Sequence, residues 1–180
     1  MIDHADDGFE VYDSNAMEWD ELFVEQLGKG IPIKAFTSDP DTGMMCLLLK
    51  YKAGFINPWH SHNCAHGIYV LSGTLRTHKG DFPAGTFVWL PEGMKMYHGA
   101  TEEADCVALF VTNKPFDIRF AFEDEEEGSE AYRTSRERAL LTSMEVTDAW
   151  YGQFLTADAD PDTLRQGEAS HGVPGQYGKG

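Results

Sequence analysis

From Ile31 to Phe122 the chain is a succession of short β-rich runs cut by turn formers. The runs "IPIKAF", "MMCLLLKY", "HGIYVL", "TLRTHK", "TFVWL", "KMYHG", "CVALFVT" and "DIRFAFE" are separated by "SDPDTG", "KAG", "SG", "KGDFPAG" and "PEG". Eight short strands spaced about ten residues apart predict an all-β barrel or double-sheet jelly roll. A chain of 180 residues, 42% of them hydrophobic, can bury a core for such a fold, and one compact domain is expected.

The flanks read differently. In "NAMEWDELFVEQLG", Asn15 and Glu18 can form a capping pair, and Trp19, Leu22, Phe23 and Leu27 recur at helical spacing before Gly28. A short helix and a strand-plus-turn both fit this segment. After Phe122, "EDEEEGSE" is a solvated charge run; Thr134 and Glu137 then offer a capping box, with Leu140, Leu141 and Met144 as an apolar stripe. The glycine-rich end, "TADADPDTLRQGEASHGVPGQYGKG", reads as a partly ordered tail or an arm across a partner subunit. The expected organisation is a lead-in over residues 1–30, a barrel over 31–122, and an acidic linker, helix and polar tail over 123–180.

Charge narrows the partners. Thirty acidic against fourteen basic side chains give a formal charge of -16, a field that repels nucleic acid and anionic membrane surfaces. The start, "MIDHADDGFEVYDS", has no signal-peptide pattern, and no run approaches the ~20 apolar residues of a spanning helix, so a cytoplasmic protein is expected. Cys46, Cys64 and Cys106 form no CxxC pair and read as core or loop residues, with Cys64 open to a thiolate-ligand or redox role.

The chemistry concentrates in "WHSHNCAHGIYVLSGTL", which holds three of the seven histidines. Side chains alternate along a strand, so His60 and His62 share a face and can bind one ion. The three residues "NCA" are the length of a hairpin connection, which would bring His66 back beside the pair and place Ile68 and Val70 on the same face as His66. In "TFVWLPEGMKMYHGA" a second hairpin carries His98, and Met96 shares its parity. The expected site is therefore His60, His62, His66 and His98 around one divalent transition metal (iron, manganese, nickel, copper or zinc), with Ile68, Val70 and Met96 in the pocket wall. No serine or cysteine nucleophile with a nearby base is evident, so no catalytic side chain is expected beyond the metal centre. Tyr69, Tyr97, Trp59 and Trp89 read as core or interface residues, and His4, His78 and His171 fall outside the pattern.

These residues resemble the cupin superfamily. Its first motif is matched by Gly54, "FINPW", His60, Ser61, His62, "NCA", His66, "GIYVLS" and Gly73, with His66 where the motif has glutamate. Its second is matched by Gly85, "TFVWL", Pro91, Glu92 and Gly93, followed by four residues instead of two before His98. The lead-in "GIPIKAFTSDPDTGMMCLLLKYKAGF" also looks like that of dihydroxyacetophenone dioxygenase and anti-sigma-factor cupins. The resemblance implies a double-stranded β-helix, a jelly-roll barrel, that pairs as a homodimer.

Four neutral ligands leave the charge of a divalent ion uncompensated, which favours a small anionic chelating substrate such as an enolate or β-diketonate. Similar small cupins include dioxygenases of β-diketones, dihydroxyacetophenone and flavonols, and four-histidine manganese cupins. The leading expectation is a non-haem dioxygenase that cleaves a carbon–carbon bond of a small carbonyl or phenolic compound. A zinc-dependent cyclase or isomerase and a non-catalytic metal-binding sensor are the alternatives.

Overall fold

The computed structural model describes residues 8–142. Among them run eleven strands: β1 (Asp20–Val24), β2 (Lys29–Ser38), β3 (Met45–Tyr51), β4 (Ile56–Ser61), β5 (His66–Ser72), β6 (Thr74–Thr77), β7 (Gly80–Pro83), β8 (Phe87–Leu90), β9 (Met96–Ala100), β10 (Cys106–Thr112) and β11 (Arg119–Phe120). A 3-10 turn, Ala121–Asp124, and one helix, α1 (Glu130–Thr142), follow. The strands form two antiparallel sheets, in the orders β1-β2-β3-β10-β5-β8 and β11-β4-β9-β6-β7. This is the all-β jelly roll that the strand-and-turn rhythm predicts, with the N-terminal lead-in and a helical C-terminal extension.

Alternation decides what each sheet buries. Along β10 every second residue is buried, from Cys106 to Thr112, and on β5 His66, Ile68 and Val70 are fully buried while Tyr69 is exposed. Ile68 and Val70 join Leu49, Leu75, Met96 and Phe110 in a single apolar cluster between the sheets. Each such side chain removed from water contributes about 1.5–3 kcal/mol.

The connections around the histidines are not hairpins. β4 and β5 lie in opposite sheets, so "NCA" is a corner from one layer to the other; β8 and β9 are likewise split. The histidines therefore converge across the barrel instead of along one hairpin. Gly73 makes the next corner, between β5 and β6, at φ 72°, and any side chain there would overlap the Asp105 carbonyl. Gly93, also at φ 72°, turns the chain from β8 into β9 and donates its N–H to the His62 carbonyl at 2.9 Å.

The lead-in takes the strand-plus-turn form. β1 pairs with β2 from Asp20↔Ile33 to Val24↔Lys29, so the six-stranded sheet starts inside the segment read as lead-in. The helical spacing of Trp19, Leu22, Phe23 and Leu27 yields to this tertiary pairing, and the Trp19 ring lies 4.6 Å from Lys34 Nζ and 4.0 Å from Lys50 Nζ. The helix also begins earlier than expected. Ser129 caps it, its Oγ accepting from Tyr132 N–H at 3.0 Å, so Thr134 and Glu137 are interior positions. Tyr132, Ala139 and Leu140 meet the core; the Leu141 side chain, Met144, the polar tail, His4 and His171 lie outside the described residues. Cys64 and Cys106 are fully buried, Cys46 partly. No helix among the described residues is long and apolar enough to cross a membrane.

Candidate metal centre

His60 comes from β4, His62 from the corner just past it, His66 from the start of β5 and His98 from β9. All four are 0–3% exposed. One ring nitrogen from each of His60, His62 and His98 lies within 4.8 Å of the others, a set that can hold a metal ion. His66, which enters from the opposite sheet, stands beside that set: its ring centroid is 4.8 Å from that of His62 and 6.1 Å from that of His98. The lengthened spacing after Gly93 does not remove His98, because the extra residues extend β9 back along β4, with Asn57 opposite His98 and His60 opposite Met96.

The protein sets the direction of each ring. His60 Nδ1 donates to the Pro58 carbonyl at 2.5 Å, and His62 Nδ1 donates to the Asp117 carbonyl. Carbonyls only accept, so both imidazoles carry their single proton on Nδ1 and present a bare Nε2 lone pair to the interior. His98 Nδ1 meets the Tyr51 hydroxyl at 2.9 Å, and its Nε2 faces His60 Nε2 at 3.2 Å. His62 Nε2 and both ring nitrogens of His66 are buried with no partner among the described residues. An orphaned buried acceptor costs about 1–3 kcal/mol, and a cation is the partner that a cluster of inward lone pairs fits.

Burial pulls all four imidazoles down, and at His60, His66 and His98 repulsion from neighbouring imidazoles adds to it. His60 and His66 fall to about 3, and His62 and His98 also lie below the ordinary histidine value. They are therefore neutral, the form that binds metal. The sign of the pH dependence follows. In the unfolded chain these groups take up protons near pH ~6.5, whereas His60 and His66 in the folded protein do so only near 3. Metal-free protein thus loses stability as pH falls from about 6.5 toward 3. Thermal melts of chelated protein should show Tm dropping between about pH 7 and pH 5, above the carboxylate range; a flat Tm over that window contradicts the burial of neutral imidazoles.

A cavity of about 280 Å³ reaches the centre, its walls including Leu47, Leu49, Phe110 and Ile118, with His62, His98, Tyr51 and Asn57 at the buried end and Phe23 and Glu25 at the exposed end. Ile68, Val70 and Met96 are fully buried in the core cluster and are not among the residues lining this cavity. Four contributors escaped sequence reasoning: Tyr51, Asn57, Phe116, whose ring sits 4.7 Å from His62, and Asp117, whose carbonyl orients His62. Only the strand ending in Tyr51 carried a signal, a polar-tipped aromatic closing an apolar run. Cys64 is buried in the corner and its sulfur is not in the ligand set; burial raises its pKa, which disfavours the thiolate. His78 is half-buried against Trp59 and Tyr97, away from the cluster.

Residues 8–117, more than half of the chain, match the family model described as the ChrR Cupin-like domain. The chain belongs to this cupin family. Solved cupins share the fold. An RmlC-like cupin protein from Ralstonia eutropha JMP134 is 23% identical over 72% of this chain and 83% of its own, with a TM-score of 0.54. The polyketide cyclase RemF from Streptomyces resistomycificus is 15% identical over 75% of this chain and 98% of its own, with a TM-score of 0.55. The structure of Rhodobacter sphaeroides SigE in complex with the anti-sigma ChrR matches at 22% identity over 56% of this cupin, with a TM-score of 0.46; the cupin spans 51% of that chain. No curated protein matches.

Proposed function

We propose that this cupin is a metal-dependent, non-haem dioxygenase of a small carbonyl or phenolic compound, cleaving a carbon–carbon bond. The observation that carries the reading is the junction of an apolar cavity with the buried, partnerless Nε2 of His62, which stands within reach of His60 and His98. His60, His62, His66 and His98 are the ligands in this reading. The ion, when bound, supplies Lewis acidity and, if redox-active, electron transfer to dioxygen.

The chain's own residues do the rest. The Pro58 and Asp117 carbonyls and the Tyr51 hydroxyl hold three rings in register. Leu47, Leu49 and Phe110 keep water from the buried end, where charge is felt most strongly. Among the described residues no carboxylate side chain lines that end, so the charge of a divalent ion is left for an anionic chelating substrate to balance.

The test is elemental analysis of untagged protein purified without added metal, paired with an oxygen electrode trace on small β-diketones. Iron, manganese, nickel or copper with oxygen uptake supports the dioxygenase; stoichiometric zinc without uptake turns the reading to a cyclase or isomerase. Light scattering on the same preparation reads the homodimer, which the exposed Tyr69, Leu71, Phe87 and Trp89 on neighbouring β5 and β8 support. The family match favours one other reading, a metal-binding sensor module that engages a protein partner, as ChrR is seen with SigE. It predicts bound metal with no oxygen uptake on any of the diketones.

A further inference from the structure

β4 carries a bulge where it matters most. Asn57 pairs with His98 and His60 pairs with Met96, so three steps along β4 match two along β9. In a regular strand, residues three apart point to opposite faces. The extra residue turns both inward instead: Asn57 is 4% exposed and His60 1%, while Trp59 between them is 38% exposed. Pro58, inside the bulge, supplies the carbonyl that orients His60. One irregularity therefore aims a histidine at the metal centre and an amide into the cavity.

The oxygen of that amide is unspent. Asn57 Oδ1 is buried and has no hydrogen-bond partner among the described residues, although the side chain lines a cavity whose walls are chiefly Leu, Ile and Phe. An apolar residue of the same size would be the cheaper occupant of such a wall. Ligand cavities of this kind hold a few placed polar groups that fix the orientation of an otherwise apolar ligand.

We infer that Asn57 is a specificity-determining residue whose Oδ1 accepts a hydrogen bond from a hydroxyl of the ligand. The ligand is a small phenol or enol: a single polar head beside Asn57 and His98, and an apolar body lying toward Leu47, Leu49 and Phe110. Sugars and amino acids fit poorly, because among the described residues the buried end offers no ionised side chain and too few acceptors to replace the water such molecules carry. The placement of the head rests on the proposed metal-dependent reading; the hydrogen bond to Asn57 does not.

The test is isothermal titration of the full-length protein, as isolated and with its metal content measured in parallel, using 4-ethylphenol and its methyl ether, 4-ethylanisole. Wild type should bind the phenol about tenfold or more tightly than the ether, the worth of one buried hydrogen bond. Asn57→Leu, with unchanged metal content, should bind the two alike, chiefly by losing affinity for the phenol. If Asn57→Leu does not fold, Asn57→Ala makes the same comparison. Retained discrimination in the variant assigns it to the metal and overturns the proposal, as does equal binding or no binding of both probes by wild type. Absence of metal alongside Asn57-dependent discrimination would defeat the metal-dependent reading and leave this one standing.

Discussion

His62→Ala should abolish metal binding, while His78→Ala should leave the metal content unchanged. His62 Nε2 is a buried lone pair with no partner among the described residues, and its Nδ1 is already committed to the Asp117 carbonyl. His78, equally a histidine and near in sequence, packs against Trp59 and Tyr97 and is not in the group that can hold a metal. Removing only an outer hydrogen-bond partner of a ligand typically costs about 10–100-fold in metal affinity, and Tyr51→Phe, which leaves His98 unsupported at Nδ1, should fall in that range. Losing the ligand itself should exceed it, so that His62→Ala is metal-free after dialysis. Elemental analysis of the three variants decides the matter, and equal metal in His62→Ala and His78→Ala would sink the assignment of the site.

Gly99→Ala should be the most destructive single-methyl change in the barrel. Gly99 lies on β9 between His98 and Ala100, paired with Ile56 on one side and Arg76 on the other. The Phe55 carbonyl, which accepts the Ala100 N–H at 2.9 Å, occupies the space where a Cβ would go, and the Ile56 Cα is next to it. These are backbone atoms of a paired strand, so relief requires β4 to move away from β9, and with it His60 from His98. Overpacking of this kind costs about 1–3 kcal/mol where side chains can shift and more where backbone must; a fall in Tm of about 10 °C or more is expected. A melt within a degree or two of wild type would mean that the two strands can separate freely. Metal content should fall in the same variant, because the displaced strands carry His60 and His98, two of the proposed ligands.

The histidines were legible for a simple reason. Alternation is local, so counting by twos puts His60 and His62 on one face and keeps His66, Ile68 and Val70 together on another. The parity of Met96 and His98 was readable in the same way, and so was the all-β class, which follows from run length and turn residues. What alternation cannot supply is which sheet a strand joins. The short "NCA" and "PEG" connections have hairpin length, yet both cross between layers, and nothing local distinguishes a hairpin from a corner.

Asn57 and Tyr51 show the limit from the other side. Counting by twos from His60 places Asn57 on the outer face, and only the bulge against β9 reverses it. Tyr51 becomes part of the centre because β3 ends where His98 passes, forty-seven residues later in the chain. By itself, then, the sequence determined the architecture and the family motifs, and it singled out the histidines now proposed as ligands, since these rest on periodicity and spacing within a few residues. The tertiary structure alone decided that the rings meet across two sheets, which carbonyls and hydroxyl orient them, and which wall the cavity has, because those depend on pairing between strands far apart in the chain.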